Sequence, residues 1–177
     1  MLTDTDELIF CVLASDAALL NQSGGQTALK GAASNGQVLL AANTTYFFEA
    51  QYLLTSTGTD SHTWAAGFSC SPAPAGISFL LRAHQTTGAN VLGDTKGIFS
   101  TTHTGGGQVV TAASTSATEH VAITASGVIR VNNVAITVTP EINLSNAPGV
   151  APTILAGSFF RATPIGNNTV RTAGAWQ

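Results

Sequence analysis

Four histidines, two cysteines and nine acids are the side chains of this 177-residue chain best suited to chemistry. His62, His84, His103 and His120 include no pair at i,i+2 or i,i+4, so no local metal-ligating pair exists. A catalytic histidine needs a nucleophile and an orienting acid, which can lie far apart in sequence. The Gly-x-Ser-x-Gly pattern is absent, and Ser and Thr are frequent enough to fall near any histidine by chance. The histidines are read as surface or interface residues. Glu49 lies mid-strand between two phenylalanines. It is either a tuned acid of a paired-carboxylate glycosidase or an exposed or interface side chain paired to Arg or a backbone donor. The second reading is preferred, because the only comparable acid is Glu119, at a strand start. Cys11 and Cys70 sit in apolar runs with no ligand-like neighbours, which suits two isolated buried thiols better than a disulfide or a metal site. Gly105, Gly106 and Gly107 lack the Gly-Lys-Ser/Thr ending of a phosphate loop and open no helix. Asn-x-Ser/Thr at Asn21, Asn43, Asn143 and Asn167 is expected by chance in a chain rich in Asn and Thr. The expectation is therefore no catalytic, cofactor-binding or metal-binding residue, no cofactor, and no enzyme activity.

The elements that position these residues are strands. Residues 43–56 organise the chain. Tyr46, Phe48, Ala50, Tyr52 and Leu54 alternate with Thr45, Phe47, Glu49, Gln51 and Leu53, and period two over this length is a strand signal. The first set is apolar and should face a core. The second mixes Phe47 and Leu53 with Glu49 and Gln51. Left wet, that face is costly in a low-charge chain, so these four residues are expected at a subunit interface.

Strand patterns also occupy 8–15, 38–41, 62–70 (Trp64, Ala66, Phe68, Cys70 in phase), 76–85 (Ile77, Phe79, Leu81, Ala83), 119–125 and 154–163, while 97–102 is short and 108–112 is apolar. Residues 127–138 form a long strand whose parity changes at Asn132-Asn133, which predicts a bulge or tight turn. Pro140 predicts an edge or bulge position for 139–144. Residues 17–20 could open a helical turn, and 21–25 is a loop by composition. About ten short strands without a dividing linker argue for one all-β domain, an antiparallel sandwich or barrel.

Composition narrows the setting. Charged residues are 8% of the chain, against about 25% in ordinary soluble domains. Such a surface suits a scaffold packed beside neighbours. The six bases are scattered, so no basic patch tracks phosphates and direct nucleic-acid binding is not expected. No apolar run approaches the roughly 20 residues of a membrane span. Residues 8–13 are apolar but short and follow Asp4, Asp6 and Glu7, unlike a secretory signal.

Several stretches together resemble a family of bacteriophage virion proteins: Asn43-Thr44-Thr45-Tyr46-Phe47-Phe48-Glu49; Val138-x-Pro140-x-Ile142-x-Leu144-Ser145; Ala156-Gly157-Ser158-Phe159-Phe160; Pro164-Ile165-Gly166; and Gly174-Ala175-Trp176, where the family often has Asn in place of Ala175. The resemblance implies a jelly-roll β-sandwich over 8–177, similar to tumour-necrosis-factor-like domains and usually a homotrimer. It implies a place on the virion and carries over no catalytic residue. Three classes follow: a capsid decoration (cement) protein on the outer capsid surface, bound to the major capsid protein; a head- or tail-fibre tip or small tail component that meets a host receptor; and a glycan-degrading enzyme. Decoration is preferred, because a fibre needs a stalk and no heptads precede residue 8. Residues 1–7, polar and acidic, form a short arm that either docks on the shell or frays.

Overall fold

The computed structural model describes residues 8–30, 36–86, 96–102 and 107–167. The arm at 1–7, His103, most of the triple glycine and the Gly174-Ala175-Trp176 ending lie outside them. The elements are β1 (Ile9–Val12), β2 (Ala17–Ala18), β3 (Gly24–Thr27), β4 (Val38–Leu40), β5 (Thr44–Ser56), β6 (Trp64–Ser71), β7 (Gly76–Thr86), β8 (Lys96–Ser100), β9 (Gln108–Val109), β10 (Glu119–Arg130), β11 (Ile136–Leu144), β12 (Thr153–Ile154) and β13 (Phe159–Asn167). All pairings between them are antiparallel. The larger sheet runs β1-β13-β5-β10-β7-β8, with β12 beside β5 and β2 beside β12; the smaller runs β3-β11-β6-β9, with β4 also on β11.

The pairs nest. β6 pairs β9, β5 pairs β10, β3 and β4 pair β11, and β1 pairs β13. One long ribbon folded back on itself, then rolled so that successive pairs fall in alternate sheets, gives this order. It is a jelly roll. The β7–β8 hairpin is inserted between β6 and β9 and widens the larger sheet beyond β10.

The alternation of β5 decides what lies between the sheets. Tyr46, Phe48, Ala50, Tyr52 and Leu54 are all buried. The ring of Phe48 lies 4.9 Å from that of Phe68 on the facing sheet, 6.2 Å from Phe79 and 5.7 Å from Phe160. Gly127 is the cross-strand neighbour of both Phe48 and Phe79. A Cβ there would stand 2.2 Å from the Ser78 carbonyl oxygen, so only glycine lets β7 and the two rings approach.

Several sequence expectations change. Residues 127–138 are not one strand: β10 continues through Arg130, the chain turns at 131–135, and Ile136 begins β11 in the other sheet. The parity switch marks that change of sheet. Pro140 lies in an interior strand. Its missing N–H falls in the gap between the β4 pairing, which ends at Val138, and the β3 pairing, which begins at Glu141. Its carbonyl still accepts from the Ala28 N–H at 2.8 Å. Residues 17–20 hold the short β2, and Gly24 and Gly25 open β3. The 154–163 strand is split at 155–158, where two extra residues bulge out of the pairing with β5. Cys11 and Cys70 are free thiols and only half-buried; burial pushes both up, Cys70 to about 12 with help from Glu141.

Phe48→Ala removes the ring that joins the two sheets. It should cost about 3–5 kcal/mol in chemical denaturation. A loss below about 1 kcal/mol would remove Phe48 from the centre of the core.

Candidate functional site: the outer face of the larger sheet

The residues of β5 that do not enter the core project from the other side of the larger sheet. The register extends that side across its neighbours. One row reads Arg82, Thr124, Gln51, Phe159 and Val12; the next reads Phe99, Leu80, Ser126, Glu49, Arg161 and Phe10. Small hydroxyl side chains on β10 stand between longer ones on β7 and β5. The result is a polar groove of about 350 Å³ lined by Glu49, Gln51, Leu80, Arg82, Thr124, Ser126, Phe159 and Arg161. Beside it lies a second hollow of about 390 Å³, lined by Leu8, Phe47, Glu49, Arg161, Thr163 and Ile165.

Glu49 and Arg161 form the ridge between the two. Arg161 Nε donates to Glu49 Oε2 at 2.7 Å, and Nη2 donates to the same oxygen. Both side chains are partly exposed, so the pair is worth little on the surface of a lone copy. Around the second hollow the face is apolar. Leu8 (52% exposed), just before β1, gathers with Phe10 (54%) and Val12 on β1, Phe47 (38%) on β5 and Ile165 (57%) on β13. Phe10 is braced by Phe159, with centroids 5.9 Å apart.

Of the four residues expected at an interface, Phe47 and Glu49 border the apolar hollow, Glu49 and Gln51 border the groove, and Leu53 lines neither. Glu49 is paired to Arg, as preferred. It cannot act with Glu119, which lies on the core side of β10. Sequence reasoning missed Leu8, Phe10, Arg161 and Ile165. Their strands are remote in sequence from β5, and only the register brings them beside it.

A second constellation lies in the core and was also missed. His62 and Glu119, 57 residues apart, are both buried. His62 Nε2 donates to Glu119 Oε2 at 2.8 Å and Nδ1 donates to the Asp60 carbonyl at 2.8 Å. Nδ1 faces a carbonyl and Nε2 a carboxylate, so a protonated ring satisfies both. Trp64 Nε1 donates to Glu119 Oε2 at 3.1 Å and Gln85 Nε2 to Oε1 at 2.6 Å. Every partner of the carboxylate is a donor, which keeps it ionised. Burial pushes His62 down, but the bonds to Glu119 and Asp60 and the charge of Glu119 outweigh it and leave the group above its ordinary value. Burial pushes Glu119 up, but the bonds from His62, Gln85 and Trp64 and the His62 charge outweigh it and leave the carboxyl below its ordinary value. Backbone bonds between His62 and Ser114, and from the Asp60 N–H to the Pro148 carbonyl, tie three loops to this ion pair. It is a structural lock with no opening to a substrate. The reading of His62 as a surface or interface residue is thus corrected; His84 and His120 are exposed. Among the described residues, no group of three or more His, Cys, Asp or Glu side chains could hold a metal ion.

Fold and face together define a jelly-roll sandwich with one uncovered, partly apolar sheet. No protein-family model matches the chain, and no curated protein matches it. Among solved structures, it is similar to the structure of infectious bursal disease virus Gx strain at 13% identity and a TM-score of 0.20. That match covers 89% of this chain and 40% of the viral one, so the chain spans less than half of its length. A score of 0.20 carries no argument about role.

The ion pair fixes a pH response. His62 contributes fully below its ordinary value of 6.5 and loses its share as pH rises through its raised folded value. Glu119 contributes fully above its ordinary value of 4.5 and loses its share as pH falls through its lowered folded value. Glu119→Gln should therefore destabilise by about 3–5 kcal/mol. In denaturant melts, the gap to wild type should be widest between those two values and shrink on either side. A gap that stays flat from acid to alkaline pH would contradict the charged pair.

Proposed function

We propose that the protein is a structural component of a virion, and specifically a decoration protein of a phage capsid that binds the outer shell as a homotrimer. The observation that carries this reading is the outer face of the larger sheet. Leu8, Phe47 and Ile165 line a hollow there and exposed Phe10 and Val12 extend the apolar surface along β1, in a chain with few charges to oppose association. A second copy covers that face and shields the Glu49–Arg161 ridge from water. The resemblance of the sequence to phage virion proteins supports the same placement. The mechanism is linkage: a trimer that binds the assembled shell but not its free subunits stabilises the shell. The partner is the major capsid protein. A tail or fibre location, with a host receptor as partner, is the other outcome of the test.

Purified protein added to capsids that lack it should bind them and raise their resistance to heat or chelator. Failure to bind capsids, together with binding to host cells, would move the protein to a fibre or tail. Phe47→Asp should lower the assembled fraction in light scattering at micromolar concentration while leaving the melting temperature of the subunit nearly unchanged. If it unfolds the subunit instead, Phe47 belongs to the core.

A further inference from the structure

The exposed apolar residues of the outer face are divided between its two margins. Leu8, Phe10, Val12, Phe47 and Ile165 cluster towards β1, whereas Phe99, 68% exposed, stands on β8. β1 and β8 are the two ends of the strand order, five inter-strand steps or about 24 Å apart. Within one copy Phe99 cannot reach the hollow between Leu8, Phe47 and Ile165. That hollow, about 390 Å³, is wide enough to admit a phenyl ring.

Two charges lie between these margins: Arg82 on β7 and Glu49 on β5 both line the central groove, on either side of β10. Arg82 lies one strand from Phe99 on the same face, opposite Gly97, and is exposed. The ion pairs among the described residues are His62–Glu119 and Glu49–Arg161, so Arg82 is in neither. Glu49 borders the hollow, and both bonds from Arg161 go to its Oε2. The β8 side of the face thus presents an aromatic side chain, with a guanidinium one strand inward that is in no ion pair among the described residues. The other presents an apolar hollow beside a carboxylate with an oxygen to spare.

We propose that copies of this chain join through opposite margins of the outer face, Phe99 of one entering the Leu8–Phe47–Ile165 hollow of the next while Arg82 of the first meets Glu49 of the second. This deepens the self-association reading above and rests on it. The contact is heterologous: each copy gives a knob at one margin and a hollow at the other, and repetition closes a ring when the rotation fits. A two-fold contact of β1 margins would instead leave Phe99 uncovered, and a face-to-face two-fold that seats each Phe99 in the other copy's hollow would stop at two copies.

Two single variants of the full chain test the arrangement, Phe99→Asp and Ile165→Asp, each checked for folding by its thermal melt. Mass is read by light scattering at micromolar concentration. Wild type should form species larger than two copies, and each variant alone should remain single. An equimolar mixture should form pairs and stop there: the Ile165→Asp chain supplies an intact Phe99, the Phe99→Asp chain an intact hollow, and both remaining ends are damaged. If either aspartate unfolds the chain, Phe99→Ala and Ile165→Ala should each weaken assembly at least tenfold. A Phe99→Asp chain with wild-type mass, folded variants that stay single on mixing, or a wild type of two copies overturns the heterologous contact alone. A wild type that stays single overturns the self-association reading with it.

Discussion

A β-sheet has two faces, and here the second sheet covers only one of them. β5 and β10 pair over twelve residues at the centre of the larger sheet, so each sends alternate side chains away from the core. No helix occurs among the described residues to cover that side. A sheet face left to water is normally made polar. This one is polar along β10, apolar along β1 and mixed along β13, a pattern that suits a partner over part of its area. The rest of the functional account depends on that asymmetry.

Charge is distributed with the same economy. Two ion pairs occur among the described residues, and they play opposite roles. His62–Glu119 is buried and fully bonded, and holds three loops at one end of the sandwich. Taking either partner away leaves an uncompensated charge in the core, so the pair specifies the loop arrangement more than it adds net stability. Glu49–Arg161 lies on the outer face, where water screens it in a single copy. Cover from a neighbouring subunit, as proposed, would lower the local dielectric and strengthen it.

The sandwich was legible because its long strands alternate cleanly. In β5 and β7 the buried residues fall in phase without exception, and the core could be named from them. The ribbon order was not legible, since it depends on which remote strands pair. Pro140 misled because the rule for proline in sheets concerns the direction its nitrogen faces, and here that direction meets a gap between β3 and β4 inside the sheet. The alternation of β5 marked one strip of the outer face. Phe10, Arg161 and Ile165 were invisible beside it, because β1 and β13 are remote in sequence from β5 and only the register brings them alongside. The His62–Glu119 lock was hidden for a related reason: no spacing rule joins residues 57 apart, and Glu119 opens a strand whose inward phase was clear only from Val121 onward.

Hydroxyl-radical footprinting of the protein, compared between the assembled state and dilute subunits, reads the covered face side chain by side chain. The account predicts that Phe10, Phe47, Ile165 and Phe99 lose labelling on assembly while exposed Leu39 and Val134, away from the outer face, keep theirs. Equal labelling of the first four in both states, or protection confined to Leu39 and Val134, would contradict it.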